Sequence, residues 1–301
     1  MAIDWCASSR MRYLTPLRYP GGKSKLTSFV RAVLSTNDLT GGHYVEPYAG
    51  GAAVGLSLLV TDDVAHVHIN DLDRSVHAFW HSVLHESDQL CRRIRAARIS
   101  IREWRRQRAV QDSSPSVSLL DLGFSTFFLN RTNRSGIIRS GGVIGGIKQA
   151  GEWKMDARFP RDGLITRIKT IAALRDRISL YNCDAAALLR RLLPRLPAKS
   201  LLYLDPPYYV TGNRRLYANA YDHADHAEIA LTLEALRRPW LVSYDDVPQI
   251  RTLYRPYRCR RYGLTYTAHN RHRGAEVMFF SDDLAIPRTV QPLQPRRRYV
   301  A

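Results

Sequence analysis

The stretch Ser200-Leu-Leu-Tyr-Leu-Asp205-Pro206-Pro207-Tyr208-Tyr209 is a short apolar run that stops at an acid and two prolines. The run from Leu201 to Leu204 is long enough for a buried strand. Because neither proline carries a backbone N–H, the strand cannot continue and the turn is stiff. Ligands of open α/β sheets bind at the carboxyl ends of the strands, so the sequence predicts a ligand-facing turn at Asp205.

This turn carries groups that suit chemistry on a planar amine. Asp205 and the carbonyl of Pro206 can both accept hydrogen bonds from one NH2 group, and Tyr208 can stack on the ring that carries it. An ordinary proline turn, with Asp205 capping the next segment of the chain, explains the same residues equally well, because a short motif is a hypothesis until its context is known. The rest of the chain has to separate the two explanations.

Composition and charge favour a globular protein with a polyanionic partner. The chain has 301 residues, 45% of them apolar, enough for one large α/β domain with an insert or for two small domains. Its net charge of +18 favours nucleic acid or an anionic membrane as partner. Since no stretch approaches the roughly 20 apolar residues that span a bilayer, we expect nucleic acid and no membrane.

The cysteines and the N-terminus favour a cytoplasmic location. Cys6, Cys91, Cys183 and Cys259 are far apart and form no C-x-x-C pair. They predict free thiols in a reducing compartment and neither a metal site nor a disulfide framework. The first residues contain no basic region followed by an apolar core, so the sequence predicts no secretion signal.

A glycine turn precedes the first predicted helix. The segment Arg18-Tyr19-Pro20-Gly21-Gly22-Lys23 leads into an apolar-periodic helix over about 26–34. It is not a P-loop, because the first glycine of that motif would fall at Leu17. Such a turn can offer N–H groups and a cation to a carboxylate, although a plain helix-entry loop is the better explanation of the segment alone.

A strand, a second glycine turn and a helix are predicted in the segment from Tyr44 to Gly55, and the next predicted strand ends in Asn70-Asp71-Leu72-Asp73. Glycines let the backbone approach a ligand closely, and an acid after the second strand is what ribose hydroxyls need. The pattern predicts an adenosine-containing cofactor. The G-x-G-x-x-G of nicotinamide-binding proteins is absent.

The middle of the chain is basic. Between Arg92 and Arg108 a predicted helical region holds eight arginines and one glutamate, which fits either a solvated helix face or phosphate contacts. An aromatic helix then runs into Asn130-Arg131-Thr132-Asn133-Arg134. The glycine-rich stretch from 140 to 151 predicts a mobile loop that orders on a partner.

Four stretches form a specific combination: Tyr19-Pro-Gly-Gly-Lys23, Glu46-Pro-Tyr-Ala-Gly-Gly51, Asn70-Asp71-Leu-Asp73 and Asp205-Pro-Pro-Tyr208. With the basic insert before the last one, the chain from about 16 to 281 resembles the Dam-type DNA adenine-N6 methyltransferases. The resemblance implies S-adenosyl-L-methionine as methyl donor and a flipped adenine of double-stranded DNA as acceptor. The chain departs from many members at Ala52, where they carry a second glycine, and this bears on cofactor affinity.

The resemblance also assigns roles to residues. The residues implied to touch the cofactor are Tyr19, Gly22, Lys23, Glu46, Pro47, Tyr48, Gly50, Gly51, Asp71 and Asp205. The catalytic set is Asp205, Pro206, Pro207 and Tyr208. Basic and amide side chains of the insert and of the loop after Tyr209 are the candidates for DNA contacts: Arg105, Arg106, Asn130, Arg131, Asn133, Arg134, Arg139, Lys148, Arg214 and Arg215.

The chemistry of these residues agrees with the resemblance. Hydrogen bonds to Asp205 and the Pro206 carbonyl would localise the N6 lone pair, and the carboxylate would offset positive charge on nitrogen. A paired amine cannot reach such a turn, so the base must leave the stack. No Pro-Cys pair is present, which argues against C5 cytosine chemistry. An N4-cytosine, RNA or protein-amide methyltransferase and a non-catalytic nucleic-acid-binding protein on the same scaffold stay open as alternatives.

We therefore predict a doubly wound, Rossmann-like α/β sheet of the S-adenosylmethionine-dependent methyltransferase type, with an inserted helical target-recognition subdomain. The catalytic domain is expected over 13–75 and 166–283, the insert over 76–165, and a basic disordered tail over 284–301. We expect a monomer without a metal, acting on prokaryotic or phage DNA in the cytoplasm.

Overall fold

The computed structural model describes residues 14–18, 23–209, 221–265 and 273–288, which form one seven-stranded sheet with helices on both faces. The strands are β1 (His43–Glu46), β2 (His66–Asn70), β3 (Ile178–Tyr181), β4 (Ser200–Leu204), β5 (Trp240–Asp245), β6 (Arg258–Thr265) and β7 (Arg273–Phe280). The helices are α1 (Thr27–Thr36), α2 (Ala53–Val60), α3 (Arg74–His85), α4 (Ser87–Ala96), α5 (Ile101–Asp112), α6 (Leu119–Thr132), α7 (Arg161–Ala172), α8 (Ala185–Leu192), α9 (His223–Glu234) and α10 (Pro248–Leu253). A 3-10 turn, Lys23–Leu26, precedes α1.

The strand order is β3-β2-β1-β4-β5-β7-β6, and it confirms the predicted doubly wound α/β class. Strands β1 to β5 run parallel, whereas β7 is antiparallel to both β5 and β6. The chain leaves β1 in one direction for β2 and β3, then crosses back to β4 on the other side of β1. Open sheets bind ligands at such a reversal, outside the carboxyl ends of the strands.

The two faces of the sheet are both buried, because successive side chains of a strand point to opposite sides. Tyr44 of β1 faces a cluster that includes α1, α2, α3 and α6, while its neighbour Val45 faces a second cluster with α8, α9 and α10. The apolar runs of β1 and β4 therefore form buried central strands, as their sequences predict.

The helical insert packs on this sheet and shares its core. Phe79 of α3 stacks on Phe127 of α6 with ring centroids 6.1 Å apart, and Phe159 meets Phe127 edge-on at 5.4 Å. All three belong to the same apolar cluster as Tyr44 of the sheet. The predicted division between residues 165 and 166 falls inside α7, so it does not mark a boundary between two cores.

Three helices, α3, α4 and α5, lie between β2 and α6, and a polar side chain caps the start of two of them. The side chain of Asp73 accepts a hydrogen bond from the backbone N of Ser75 at the start of α3, and Ser100 accepts one from Glu103 at the start of α5. Ser100 starts a new helix inside the stretch Arg92–Arg108, which the sequence predicts as one helical region.

Two segments predicted to be mobile have backbone contacts within the described residues, and the mobility of the glycine-rich one stays a prediction. The glycine-rich stretch is closed by backbone bonds, among them Ile144 N to Thr132 O at 2.9 Å and Gly151 N to Gly145 O at 3.1 Å. The predicted tail begins too early, because Leu284 is fully buried in the core and the N–H of Ala285 donates to Asn37. The rest of that tail, from 289, lies outside the described residues.

No helix within the described ranges is long and apolar enough to cross a membrane.

Candidate active site

Four carboxylates meet at the edge of the sheet where the parallel strands end. Glu46 closes β1, Asp71 follows β2 and Asp205 follows β4. Because β7 runs antiparallel, its beginning lies at this same edge, where Glu276 pairs in register with Asp245 of β5. The sheet thus collects acidic side chains from distant parts of the chain at one place.

Lys23 is buried among polar groups from three other parts of the chain. Its Nζ lies 3.0 Å from each carboxylate oxygen of Glu276 and 3.2 Å from Oδ1 of Asp205. It also donates to the hydroxyl of Tyr208 at 3.2 Å, and that hydroxyl donates to Oε1 of Glu276 at 2.6 Å. The four side chains form a network that fixes the ammonium and the tyrosine relative to Asp205; below we call it the lysine network.

Asp205 is the member of the network that faces outward. Its side chain is 26% exposed, compared with 6% for Lys23 and 0% for Glu276. The hydroxyl of Ser243 on β5 donates to Oδ1 of Asp205 at 2.9 Å. The turn after β4 is held by the N–H of Tyr209, which donates to Asp245 at 3.0 Å. A rigid, accessible carboxylate at a strand end is the arrangement that the sequence predicted for residue 205.

The network shifts the protonation equilibria of its members. Burial, reinforced by the nearby Glu276, raises the pKa of Asp205 to about 6, although Lys23 and Ser243 act against the rise. For Lys23 burial acts to lower the pKa, but the carboxylates of Asp205 and Glu276 outweigh it and the pKa is raised. Lys23 is therefore cationic and Asp205 largely ionised at neutral pH, with Asp205 close enough to neutrality to accept a proton.

The glycine turn after β1 is clamped from three sides. Ala49 N donates to the carbonyl of Asn70 at 2.8 Å, and Gly50 N donates to a carboxylate oxygen of Asp71 at 3.0 Å. From α3, the indole N–H of Trp80 donates to the carbonyl of Gly50 at 2.8 Å. Hydrogen bonds to the residues after β2 and to α3 therefore fix the backbone of this turn.

Ala52 occupies a conformation that usually needs glycine. Its φ is +46° and its ψ +33°, and Gly50 in the same turn also has φ +46°. A left-handed L-residue costs roughly 1–2 kcal/mol. The chain thus keeps the backbone path that a glycine would give here.

Glu46 and Asp71 are the carboxylates beside the glycine turn after β1. Glu46 accepts a hydrogen bond from Gly55 N at 3.0 Å and binds the start of α2 to β1, and burial raises its pKa to about 8. Burial likewise raises the pKa of Asp71 to about 7, although its two oxygens accept bonds from Gly50 N and Asp73 N. A tight glycine turn beside a partly exposed acid fits the ribose of an adenosine cofactor.

The structure therefore brings most of the predicted site residues to one edge. Those at the edge are Lys23, Glu46, Pro47, Gly50, Gly51, Asp71, Asp205, Pro206, Pro207 and Tyr208. Tyr48 packs on the face of the sheet that α8, α9 and α10 cover, where its hydroxyl lies 3.1 Å from that of Tyr221. Tyr19 and Gly22 lie outside the described residues. For all of these the roles inferred from the sequence stay predictions.

Sequence analysis missed Ser243 and Glu276. Ser243 is a single hydroxyl inside the apolar run of β5, and Glu276 is a fully buried acid before the apolar residues 277–280 of β7. A lone acid beside a predicted strand was the available signal. This signal did not show at which edge of the sheet Glu276 lies. The sequence pattern does not reveal that β7 is antiparallel and therefore begins at the edge where the parallel strands end.

The residues predicted to contact DNA have different environments. Arg105, Arg134 and Lys148 are exposed, and so is Arg106, which pairs with Glu103 at 3.5 Å. Arg139 is half exposed and lies 3.5 Å from Asp73, beside the cofactor edge. Arg214 and Arg215 lie outside the described residues.

Asn130 and Asn133 are buried and their amides are occupied within the fold. Asn130 accepts from Arg18 N and donates to Arg18 O, both at 2.7 Å, and also donates to Gly136 O at 2.8 Å. Asn133 accepts from the indole of Trp104 at 2.6 Å and donates to Ile137 O at 2.7 Å. These two side chains fasten the segment after α6, and we leave them out of any DNA-binding surface.

Arg131 is buried, and no carboxylate of the described residues forms an ion pair with it. It is only 7% exposed, and its Nε has no hydrogen-bond partner among the described residues. Burial lowers its pKa to about 9, with the neighbouring cations of Arg18, Arg167 and Arg158 acting in the same direction. Within the described part of the chain, none of these four arginines is paired with a carboxylate; below we call them the arginine cluster.

The chain matches a known protein family over most of its length. A family model described as D12 class N6 adenine-specific DNA methyltransferase matches residues 19–268. No curated protein matched the sequence.

Two solved structures align with the chain at low identity. A candidate RNA methyltransferase from Pyrococcus horikoshii aligns with a TM-score of 0.42 and 11% identity, over 88% of this chain and 85% of that one. The rRNA methyltransferase aviRa from Streptomyces viridochromogenes aligns with a TM-score of 0.40 and 13% identity, over 94% of this chain and 95% of that one.

Proposed function

The chain belongs to the D12 class N6 adenine-specific DNA methyltransferase family, and we propose that it transfers a methyl group from S-adenosylmethionine to the N6 amine of an adenine flipped out of duplex DNA. The observation that carries this proposal is Asp205, an accessible carboxylate on a rigid strand-end turn, held by Ser243 and Lys23. A fixed acceptor at this edge is what an amine nucleophile needs.

Asp205 acts on the amine in two ways. Its carboxylate accepts a hydrogen bond from N6, as the Pro206 carbonyl does from the second N–H, and this localises the nitrogen lone pair towards the incoming methyl. It also offsets the positive charge that develops on N6 during transfer. A pKa raised to about 6 by burial suits it to take up the proton that N6 loses afterwards.

S-adenosylmethionine supplies a methyl group already activated by a sulfonium. Asp71 and the turn around Gly50 are proposed to hold its adenosine part, since the turn is clamped and the acid stands beside it. Glu46 is buried by the same turn, and we assign it to keeping α2 and β1 in place.

We predict that Asp71→Ala weakens cofactor binding more than DNA binding, as measured by calorimetry for each ligand; equal losses for both would contradict the assignment.

The arginine cluster supports a polyanionic substrate. A buried guanidinium without an internal acid is costly, and a phosphate can neutralise it with charge-assisted hydrogen bonds. The cluster is also close to the active site, because Arg18 is only five residues before Lys23, a span of at most about 18 Å. The two sites could thus contact one DNA strand at the same time.

One assay tests the proposal directly. Purified protein is incubated with methyl-labelled S-adenosylmethionine and with duplex DNA, single-stranded DNA or RNA, and the nucleosides are then separated. We expect label in N6-methyldeoxyadenosine from DNA, with duplex the best substrate. Label in N4-methylcytosine or mainly in RNA would replace the proposed substrate, and the absence of label from every nucleic acid would contradict methyl transfer to nucleic acids.

A further inference from the structure

We infer that Glu276 is a positioning residue for methyl transfer: it serves as the counter-ion of Lys23 and so leaves the charge of Asp205 available to the reacting amine. The inference rests on the proposed function, because it concerns how Asp205 acts on N6. It differs from a packing role for Glu276, since it makes the charge of the side chain, and not its shape, the decisive property.

The distances show that Lys23 is bound more closely to Glu276 than to Asp205. Both oxygens of Glu276 lie 3.0 Å from Nζ, whereas Asp205 contacts it through Oδ1 alone, at 3.2 Å. Contact of an ammonium with both oxygens of a fully buried carboxylate is a strong, charge-assisted interaction. Asp205 is therefore the carboxylate that can bind a ligand while Lys23 keeps Glu276 as its counter-ion.

Burial reinforces this division of roles. Glu276 is fully buried and reaches no solvent, while the Asp205 side chain is 26% exposed at the mouth of the site. An amine substrate can therefore approach Asp205 and not Glu276. Tyr208 also donates to Glu276, at 2.6 Å, so the same carboxylate orients the aromatic residue of the catalytic turn.

The charge count explains why a second carboxylate is needed. One ammonium, Lys23, stands against two carboxylates, Asp205 and Glu276, which leaves a formal net charge of −1 for the lysine network. Without Glu276 the count is zero, because Lys23 would neutralise Asp205. The network could then no longer offset the positive charge that forms on N6, and this charge is the part of the transition state that Asp205 is placed to stabilise.

The test compares Glu276→Gln, Lys23→Met and the double variant at saturating cofactor and DNA. Glutamine keeps the size and the hydrogen-bonding capacity of Glu276 but removes its charge. We expect Glu276→Gln to lower kcat about tenfold to hundredfold, less than the roughly 10²–10³-fold typical of a group that touches the transition state. Adding Lys23→Met should raise kcat at least about fivefold above that of Glu276→Gln alone, because Asp205 is then no longer paired with the lysine.

Asp246→Asn provides a matched control. Asp246 is also a carboxylate bound by cations near the end of β5, but its partners are the surface residues Arg251 and Arg261, at 2.6 and 3.2 Å. We expect this variant to retain the wild-type kcat. A loss similar to that of Glu276→Gln would show that any nearby carboxylate matters and would overturn the inference.

Several results decide the inference separately from the proposed function. A kcat of Glu276→Gln within twofold of wild type overturns it, as does a double variant less active than Glu276→Gln. A fall that only matches the lost fraction of cofactor-binding protein indicates a structural role and also overturns it. If wild-type protein methylates no nucleic acid, the proposed function fails; urea unfolding of the same four proteins then still tests whether Glu276 and Lys23 are coupled.

Discussion

The lysine network and the arginine cluster are both groups of buried charges, and they are neutralised in opposite ways. Lys23 lies within 3.2 Å of two carboxylates of the same chain. Arg131 has no such partner among the described residues, and the charged groups that act on it most are three further arginines. The charge of Lys23 is neutralised by carboxylates within the fold, whereas the charge of Arg131 is left for an external anion to neutralise.

This difference suggests separate roles, with the lysine network positioning groups for a reaction and the arginine cluster binding an anion. Internal counter-ions fix Lys23, Tyr208 and Asp205 in place, which is what a reaction needs from its catalytic groups. An unmatched buried cation gives up stability, and it gains affinity for an anion because the desolvation has already occurred in the free protein. We expect mutations in the two groups to separate accordingly, with turnover affected in one and binding in the other.

The largest effect is expected from removing the outward member of the lysine network. Asp205→Ala should lower kcat by at least about 10²–10³-fold, because the amine loses its acceptor and its charge compensation together. Far-UV circular dichroism should be unchanged, since the side chain lies at a strand end. Retention of more than a tenth of wild-type turnover would remove Asp205 from the proposed role.

Substituting the buried cations should change stability in opposite directions. Lys23→Met leaves two carboxylates facing each other and should lower the free energy of unfolding by about 3–5 kcal/mol. Arg131→Met removes an unmatched charge from a buried position and should raise it by about 1–3 kcal/mol. Urea unfolding in the absence of ligands measures both, and two changes of the same sign would break the comparison.

The carboxylates of the sheet edge should make stability depend on pH in a range where Arg131 does not titrate. Burial raises the pKa of Glu46 to about 8 in the folded state, so its contribution is fully present below its unfolded pKa of 4.5 and is lost as pH rises through 8. Over that window Glu46→Gln should remove a pH dependence of up to about 1.4 kcal/mol per unit.

The control for this pH effect is Arg131→Met. Its pKa is lowered only to about 9, so its stability difference from wild type should be constant between pH 5 and 8. Thermal unfolding across that range compares the two variants. A pH-independent difference for Glu46→Gln would show that the Glu46 carboxyl has the same pKa in the folded and unfolded states.

The smallest effect is expected in the salt dependence of DNA binding. Arg131→Met should reduce the slope of log affinity against log salt concentration by roughly 0.9, the value for one phosphate contact on duplex DNA. The double variant Arg105→Ala/Arg106→Ala should reduce it by up to twice as much if both exposed side chains meet phosphates, and should leave it unchanged if α5 presents only a solvated face.

Lys199→Ala is the matched control for the salt experiment. This exposed lysine pairs with Asp38 at 2.9 Å, and its carbonyl accepts from His43 N at the start of β1, at the end of the sheet away from Asp205. Its slope should equal that of wild type. A wild-type slope for Arg131→Met as well would place DNA somewhere other than the arginine cluster.

Local chemistry made the central turn and the cofactor edge predictable. An apolar run followed by Asp205 and two prolines can only end a strand, and a glycine turn after Val45 can only begin a helix close to the backbone of β1. Parallel strands all end at one edge of the sheet, and the family resemblance, not the turns alone, implied that Asp71 and Asp205 serve one cofactor site there. The order of the motifs then indicated the family.

Only the tertiary structure decided which charges have partners. Glu276 is 253 residues from Lys23 and reaches it because β7 inserts antiparallel between β5 and β6. Nor does the sequence around Asn130 and Arg131 distinguish a solvated helix end from a buried one. Residue periodicity reports which face of an element is apolar, whereas the pairing of buried charges depends on contacts between elements far apart in the chain, and these are set by how the whole sheet closes.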